Sequence, residues 1–274
     1  MSTREVLVLG GGVAGIQAAF DLGEMGVRVH LVEEKPSIGG HMAQLDKTFP
    51  TNDCSICILS PKMSDCYRHP DVVTHTCTDV LEIKEDGDDL LVKLVKQARY
   101  VNTEMCTGCG KCAEKCPVKI PNEFDMGLRK RGAAHILYPQ AVPLVAAIDP
   151  SRCLYLTKGV CRICEKFCDR KAIDLSQKDQ EMTLRVGAVI VAPGADVFDA
   201  RLKTEYGYGR FKNVVSSLEF ERILSASGPY EGHVVRPSDR KVPKKIAFIQ
   251  CVGSRDPAHG RGHCSSVCCM HATK

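Results

Sequence analysis

Val6-Leu7-Val8-Leu9-Gly10-Gly11-Gly12-Val13-Ala14-Gly15-Ile16 is a short apolar run, a G-x-G-x-x-G turn and the start of a segment that reads as a helix to Met25. A second apolar run, Val27 to Val32, follows and ends at Glu33. Strand, turn, helix, strand and acid in register predict a dinucleotide cradle. The first glycine permits the tight turn, and the second lets the backbone approach a pyrophosphate. The third lets helix and strand pack closely, with the phosphate at the helix N-terminus. Glu33, eighteen residues beyond Gly15, is placed to accept a hydrogen bond from a ribose.

A terminal acid suits NAD and FAD alike, and two further stretches favour FAD. Gly39-Gly40 resemble the second glycine pair of two-dinucleotide-binding flavoproteins. Gly187-Ala188-Val189-Ile190-Val191-Ala192-Pro193-Gly194 resembles the strand that completes their FAD domain, with Ala192 and Gly194 at its turn and Pro193 in place of the usual threonine. Residues 79–96 alternate apolar and charged positions about Asp86-Gly87-Asp88-Asp89, as a hairpin does. The expected organisation is an α/β, Rossmann-like FAD domain in two halves, 1–97 and 182–240, interrupted by an inserted module at 98–181. Lys244 to Gln250 reads as a new strand, so 241–274 is expected to begin a second nucleotide-like domain.

The insertion carries eight of the chain's 16 cysteines. Cys106, Cys109, Cys112 and Cys116, followed by Pro117, have the spacing at which a chain wraps a cubane iron–sulfur cluster and hands its last cysteine to a neighbour. Cys153, Cys161, Cys164 and Cys168 form the second group, with an extra loop after Cys153 and Asp169 in place of the proline. By the crossing rule, Cys106, Cys109, Cys112 and Cys168 hold one 4Fe–4S cluster, and Cys153, Cys161, Cys164 and Cys116 the other. Zinc is the rival metal, but four cysteines packed this closely suit a cubane better than separated knuckles. Cys251, Cys264, Cys268 and Cys269 form a third group where a nicotinamide domain would need another G-x-G-x-x-G. The turn reads Cys251-Val252-Gly253-Ser254-Arg255 instead. These four read as a third thiolate site or as buried small hydrophobes. Cys54-Ser55-Ile56-Cys57 is open between a redox dithiol, a partial cluster site and packing, with Cys66 and Cys77 beyond it. His41, His69, His75 and His135 show no ligand spacing.

With 274 residues and 44% hydrophobic content the chain is long enough for about two domains with a real core. Its +4 net charge, lack of tryptophan and lack of interleaved aromatic and basic residues give no sign of nucleic-acid binding. The longest apolar stretch, near Ala141 to Ile148, is far short of a membrane span and is broken by Pro143. The N-terminus runs straight into a strand, so no signal peptide is expected and a cytoplasmic address follows. In that compartment cysteines read as metal or redox groups rather than a disulfide framework.

Together these features resemble the A-type (HdrA) component of the heterodisulfide reductases. The resemblance rests on Gly10 to Ala19, on Gly39-Gly40-His41-Met42-Ala43-Gln44-Leu45-Asp46-Lys47-Thr48-Phe49-Pro50, and on Thr51 to Leu59. The inserted cysteine module and Cys251…Cys264…Cys268-Cys269 complete it. It implies a thioredoxin-reductase-like FAD domain interrupted by a two-cluster ferredoxin-like α+β module. It also implies a third cluster at Cys251, Cys264, Cys268 and Cys269, and flavin-based electron bifurcation in anaerobic metabolism. The implied partners are B- and C-type redox subunits, a hydrogenase- or NADH-flavin-type donor, and ferredoxin. Lys274 matches a lysine that approaches the flavin in that family. Longer members carry an additional N-terminal domain and a further C-terminal ferredoxin domain, so a partial chain is expected. The alternative is a self-contained NAD(P)H oxidoreductase resembling the small component of glutamate synthase.

Overall fold

The computed structural model describes residues 5–274. The chain opens with β1 (Val6–Leu9), α1 (Val13–Glu24) and β2 (Val29–Glu33). Next come α2 (Ser55–Arg68), β3 (Val72–Thr76), β4 (Thr78–Asp86) and β5 (Asp89–Lys96). The cysteine-rich stretch contributes short pieces: α3 (Lys111–Lys115), β6 (Ile120–Pro121), β7 (Lys130–Arg131), β8 (Ala134–His135), β9 (Ala147–Ile148), α4 (Leu154–Lys158) and α5 (Ile163–Lys166). It is followed by β10 (Gln180–Val186), β11 (Ala188–Val191), α6 (Ser217–Leu224) and α7 (Cys268–Thr273).

β1, β2, β3 and β11 form a parallel sheet in the order β11-β1-β2-β3, with Val8 opposite both Ile190 and Leu31. Parallel strands covered on both faces need near-continuous apolar residues, and Leu7, Val8, Val29 and Leu31 are fully buried. α1 buries Gly15, Ile16, Ala19 and Gly23, one stripe of a 3.6-residue helix. A second, antiparallel sheet runs β10-β5-β4. Its Val92, Leu94 and Val186 share a core with Leu7 and Val32 of the parallel sheet. The expected hairpin is β4–β5, turning through Asp86 and Asp89. The return to the nucleotide fold expected near Met182 occurs in β10, where Met182 pairs with Leu94.

The insertion has little regular structure and its own apolar core. Val101, Ala133, Ala134, Val145, Ala146, Ile148, Ala172, Ile173 and Leu175 pack around the buried cysteines 112, 116 and 153. It shares one compact unit with the nucleotide fold: described residues up to Ala43, Leu59–Phe124 and Lys130–Gly194. A second unit gathers Gln44–Ile58, Asp125–Arg129 and Ala195–Lys274. Its α6 starts on a complete capping box, with Ser216 accepting from the Glu219 N–H and Glu219 accepting from the Ser216 N–H.

One expected element does not form. Lys244–Gln250 makes no strand, and Ile246, Phe248 and Ile249 are 50–55% exposed. A parallel strand needs a neighbour to take its ladder bonds. Among the described residues no strand pairs with this segment.

Candidate functional site

The glycine motif and the 187–194 stretch meet in one place. Gly10 has φ +103°, and a Cβ there would stand 2.1 Å from the Ala192 carbonyl oxygen. Only glycine lets β1 and the end of β11 come this close. Ala192 N–H donates to the Leu9 carbonyl at 2.8 Å. Gly15 packs α1 onto the Gly10 carbonyl. Gly40, at φ +55°, would collide with Gly12 if it carried a Cβ (2.9 Å), so the second glycine pair closes on the first. Space is open above Gly12 and Gly194. Gly12 is the N-cap of α1, with no side-chain cap and no acidic residue in the first turn. That leaves the helix N–H groups and the positive end of its dipole for an anion, as a pyrophosphate requires.

Glu33 lies at the end of β2 with one oxygen accepting from Gly11 N–H (2.7 Å) and the other from Lys35 N–H (2.9 Å). Burial raises its carboxyl above the ordinary range against those two bonds. Each oxygen keeps a second lone pair for a ribose hydroxyl. These features fit the adenosine half of a dinucleotide.

The insertion grips this cradle directly. Tyr138 donates its hydroxyl to the Ile38 carbonyl and stacks on Phe124 at 4.6 Å. Ile38 N–H donates to the Val142 carbonyl (2.9 Å), and Ser37 Oγ to that of Pro143 (3.2 Å). Arg99, 7% exposed, donates to the carbonyls of Pro36 and Val145 and to Thr76 Oγ1. These bonds join residues up to about a hundred positions apart, so nothing in local sequence announces them.

The module's cysteines line two cavities. One, about 230 Å³, is bordered by Cys106, Cys109, Cys112 and Cys168. The other, about 20 Å³, is bordered by Cys116, Cys153, Cys161 and Cys164. Cys168 has joined the first trio and Cys116 the second. The Cys112 thiol is pushed up to about 12 by burial and by nearby Cys106, and Cys164 to about 11 by burial. Packed, desolvated thiols of this kind are poor anions unless a cation shares them. Among the described residues, no three Cys, His, Asp or Glu side chains form a site for a single metal ion. The first cavity has room for a polynuclear group, whereas the walls of the second must part to admit one. Four thiol donors around each make a donor set suited to iron–sulfur clusters.

In the second unit, Cys251, Cys264, Cys268 and Cys269 come near one another, with Cys268 and Cys269 opening α7. Cys264 and Cys269 are exposed, Cys251 and Cys268 half-buried. Lys274 directs its ammonium into a buried anionic site that the sequence pattern does not announce. Its Nζ lies 2.8 Å from Glu221 Oε1, with the Lys274 and Glu221 side chains only 6% and 4% exposed. His271 Nε2 approaches the same oxygen at 2.8 Å. The other oxygen accepts from Asp46 N–H at 2.8 Å. Although burial alone would raise it, these bonds hold the Glu221 carboxyl below its ordinary value. Next to it, Arg222 donates to Asp125 Oδ1 at 2.9 Å, both side chains fully buried, and to the Gln44 carbonyl at 3.2 Å. The capping box and apolar spacing mark α6 as a helix, but not the partners 97 and 178 residues away.

Cys54 and Cys57 form a disulfide at the start of α2. Cys66 and Cys77 are buried thiols. His69 pairs with Glu24, His75 with His30, and His135 bonds the Ala133 carbonyl.

Comparison with known proteins agrees with this picture. The family described as FAD dependent oxidoreductase matches residues 5–53, and that described as 4Fe-4S binding domain matches residues 99–121. The chain is 54% identical over 272 residues to an A-type iron–sulfur component of the CoB–CoM heterodisulfide reductase of Methanopyrus kandleri, covering 99% of this chain and 41% of that protein. It is 49% identical to the A-type component of the H(2):CoB–CoM heterodisulfide,ferredoxin reductase of Methanothermobacter marburgensis, covering 98% and 40%. The A-type component of the ferredoxin:CoB–CoM heterodisulfide reductase of Methanosarcina mazei is 43% identical, with coverage of 100% and 34%. Among solved structures, a putative thioredoxin reductase from Bacillus anthracis aligns at TM-score 0.27 and 18% identity, over 32% of this chain and 30% of that one.

Fold and motifs define a flavin- and iron–sulfur-type oxidoreductase chain. The chain belongs to the HdrA family, the A-type components of heterodisulfide reductase, and spans about two-fifths of the length of the relatives it matches. Among the described residues, no helix is long and apolar enough to cross a membrane.

Proposed function

We propose that this chain is an electron-transfer part of a heterodisulfide-reductase-like complex, moving electrons between an FAD and 4Fe–4S clusters within flavin-based electron bifurcation. The observation that carries the reading is the bonding of Tyr138, Val142 and Pro143, within the cysteine module, to Ser37, Ile38 and Gly39 of the dinucleotide cradle. A rigid join of this kind keeps two redox groups at a fixed separation.

Bound FAD supplies a two-electron exchange that can be divided into single transfers, and each iron–sulfur cluster carries one electron at a time. Gly10, Gly12 and Gly15 open the cradle, with Gly39, Gly40, Ala192 and Gly194 around it, and Glu33 takes the ribose. In the module, 98–181, Cys106, Cys109, Cys112 and Cys168 hold one cluster, and Cys116, Cys153, Cys161 and Cys164 the second. Cys251, Cys264, Cys268 and Cys269 hold a third. Glu221 holds the Lys274 ammonium in position, the role the family lysine requires beside a flavin. B- and C-type subunits, a hydrogenase- or NADH-flavin-type donor, and ferredoxin are the proposed partners.

Anaerobic iron, sulfide and flavin analysis with a visible spectrum tests this directly. About twelve iron atoms per FAD are expected for three clusters, and about eight if the 251–269 set is not a site. Flavin without iron, or zinc in its place, would sink the relay reading.

A further inference from the structure

We propose that the mouth of the larger cysteine-lined cavity is a docking surface for an acidic one-electron carrier protein. The proposal rests on the reading above, that this cavity holds an iron–sulfur cluster.

The two cavities differ in access. Cys109 is exposed at the first, whereas Cys116 and Cys153 at the second are buried. Lys111, Asp169 and Arg170 also border the first cavity. Around it stand exposed Lys115, Lys166 and Lys171. Two pairs partly neutralise the rim: Lys111 with Asp169, and Lys115 with Glu114. Among the described residues, Lys166, Arg170 and Lys171 enter no ion pair.

The charge is concentrated here. Residues 104–119 and 158–171 contain eight Lys and Arg against four Asp and Glu. The rest of the chain has 29 of each sign, so the whole excess of +4 lies in these two segments. The rim also carries apolar contact area. Phe167 is 47% exposed, with Lys115 Nζ 5.9 Å from its ring centre, and Met105 and Leu144 are 40% and 43% exposed. Exposed charge around an apolar, aromatic centre is how transient protein partners are steered and seated.

A rival role for these cations is to balance the negative charge of a bound cluster. Ammonium groups standing in water are screened over about 8 Å at physiological salt. They act more strongly on an approaching protein surface than on a buried group. An acidic partner is the one that fits, since a basic carrier meets repulsion.

The test uses the purified chain with its iron content confirmed, a small acidic plant-type ferredoxin as probe, and a basic c-type cytochrome as control. Binding is measured by calorimetry across a series from low to physiological salt, and cluster potentials by redox titration. Lys115→Glu, Lys166→Glu and Lys171→Glu combined should weaken ferredoxin binding roughly tenfold or more at low salt. The corresponding Lys→Gln triple should fall in between, potentials should stay fixed, and the cytochrome should bind better to the Glu variant. Ferredoxin affinity insensitive to both salt and reversal overturns the proposal. So does a shift in potential without a change in binding, which assigns the charges to the cluster. A preparation without iron overturns the underlying reading, and the docking proposal falls with it.

Discussion

The cysteines between 106 and 168 are set in a different kind of protein from those between 251 and 269. In the first region Cys112, Cys116 and Cys153 are 7–8% exposed and pack among Val101, Val145, Ile148 and Leu175. In the second, Cys264 and Cys269 are exposed, and the buried groups of the unit around them are largely charged. Asp125 with Arg222, Glu221 with Lys274 and His271, and Asp256 with Lys203 and His259 tie it together. An apolar core loses little to acid or salt, whereas buried ion pairs are strong only while both partners stay charged and present. The two cysteine regions should therefore fail under different conditions.

The sharpest way to break that contrast is to remove one buried ion. Arg222→Ala strands Asp125 in a desolvated site, and about 3–5 kcal/mol of stability should be lost in urea unfolding. A loss below about 1 kcal/mol would mean that water or rearrangement replaces the guanidinium, and the charged account of this unit would fall. The matched change in the module is Ile148→Ala, expected to cost about 3 kcal/mol by loss of contacts and the cavity left behind. Raising salt should leave that cost unchanged. If it does not, the module is less apolar in its energetics than its packing indicates.

What the sequence reveals follows the same division. The parallel sheet is legible because strand, G-x-G-x-x-G and helix are adjacent in the chain, and each residue's reason lies within a few positions. The grouping of Cys168 with the first trio is legible because spacing and a crossing rule determine it, although ligation itself stays a proposal. Asp125, Glu221 and Arg222 were not legible. Their partners lie far along the chain, and a charged residue on a short amphipathic helix looks like solvent-facing surface. Lys244–Gln250 misled for the opposite reason: β-branched and aromatic residues describe what a strand wants, but pairing decides whether it forms.

Glu221 sharpens the contrast at a smaller scale. Its carboxyl is held low by His271, Lys274 and the Asp46 N–H, despite burial. The stability this contributes is complete above the ordinary carboxylate value and disappears as pH falls through the lowered one. Glu221→Gln should cost about 2 kcal/mol near pH 7 and flatten the acid limb below about pH 4.5. A variant that keeps the full acid slope would show that other carboxylates, such as Asp256, carry it.

The smallest expected effect lies in the nucleotide fold, and it limits how far the apolar unit is indifferent to acid. His75 Nε2 lies 3.0 Å from His30 Nδ1, and His30 Nε2 lies 2.8 Å from Glu5. Burial, with the charge of His30 second, lowers His75 from 6.5 to about 4. The unfolded chain therefore binds the extra proton first. Stability is complete above about pH 6.5 and declines as pH falls towards 4, by about 1–2 kcal/mol after discounting for partial solvent contact. His75→Asn should remove that slope while leaving the Glu221 limb at lower pH in place. The two windows, 6.5 to 4 for His75 and below about 4.5 for Glu221, are separable by tracking each unit with its own probe. Should both units lose structure together at every pH, the chain unfolds as one cooperative body. The contrast between an apolar and an ionic half would then describe packing without describing stability.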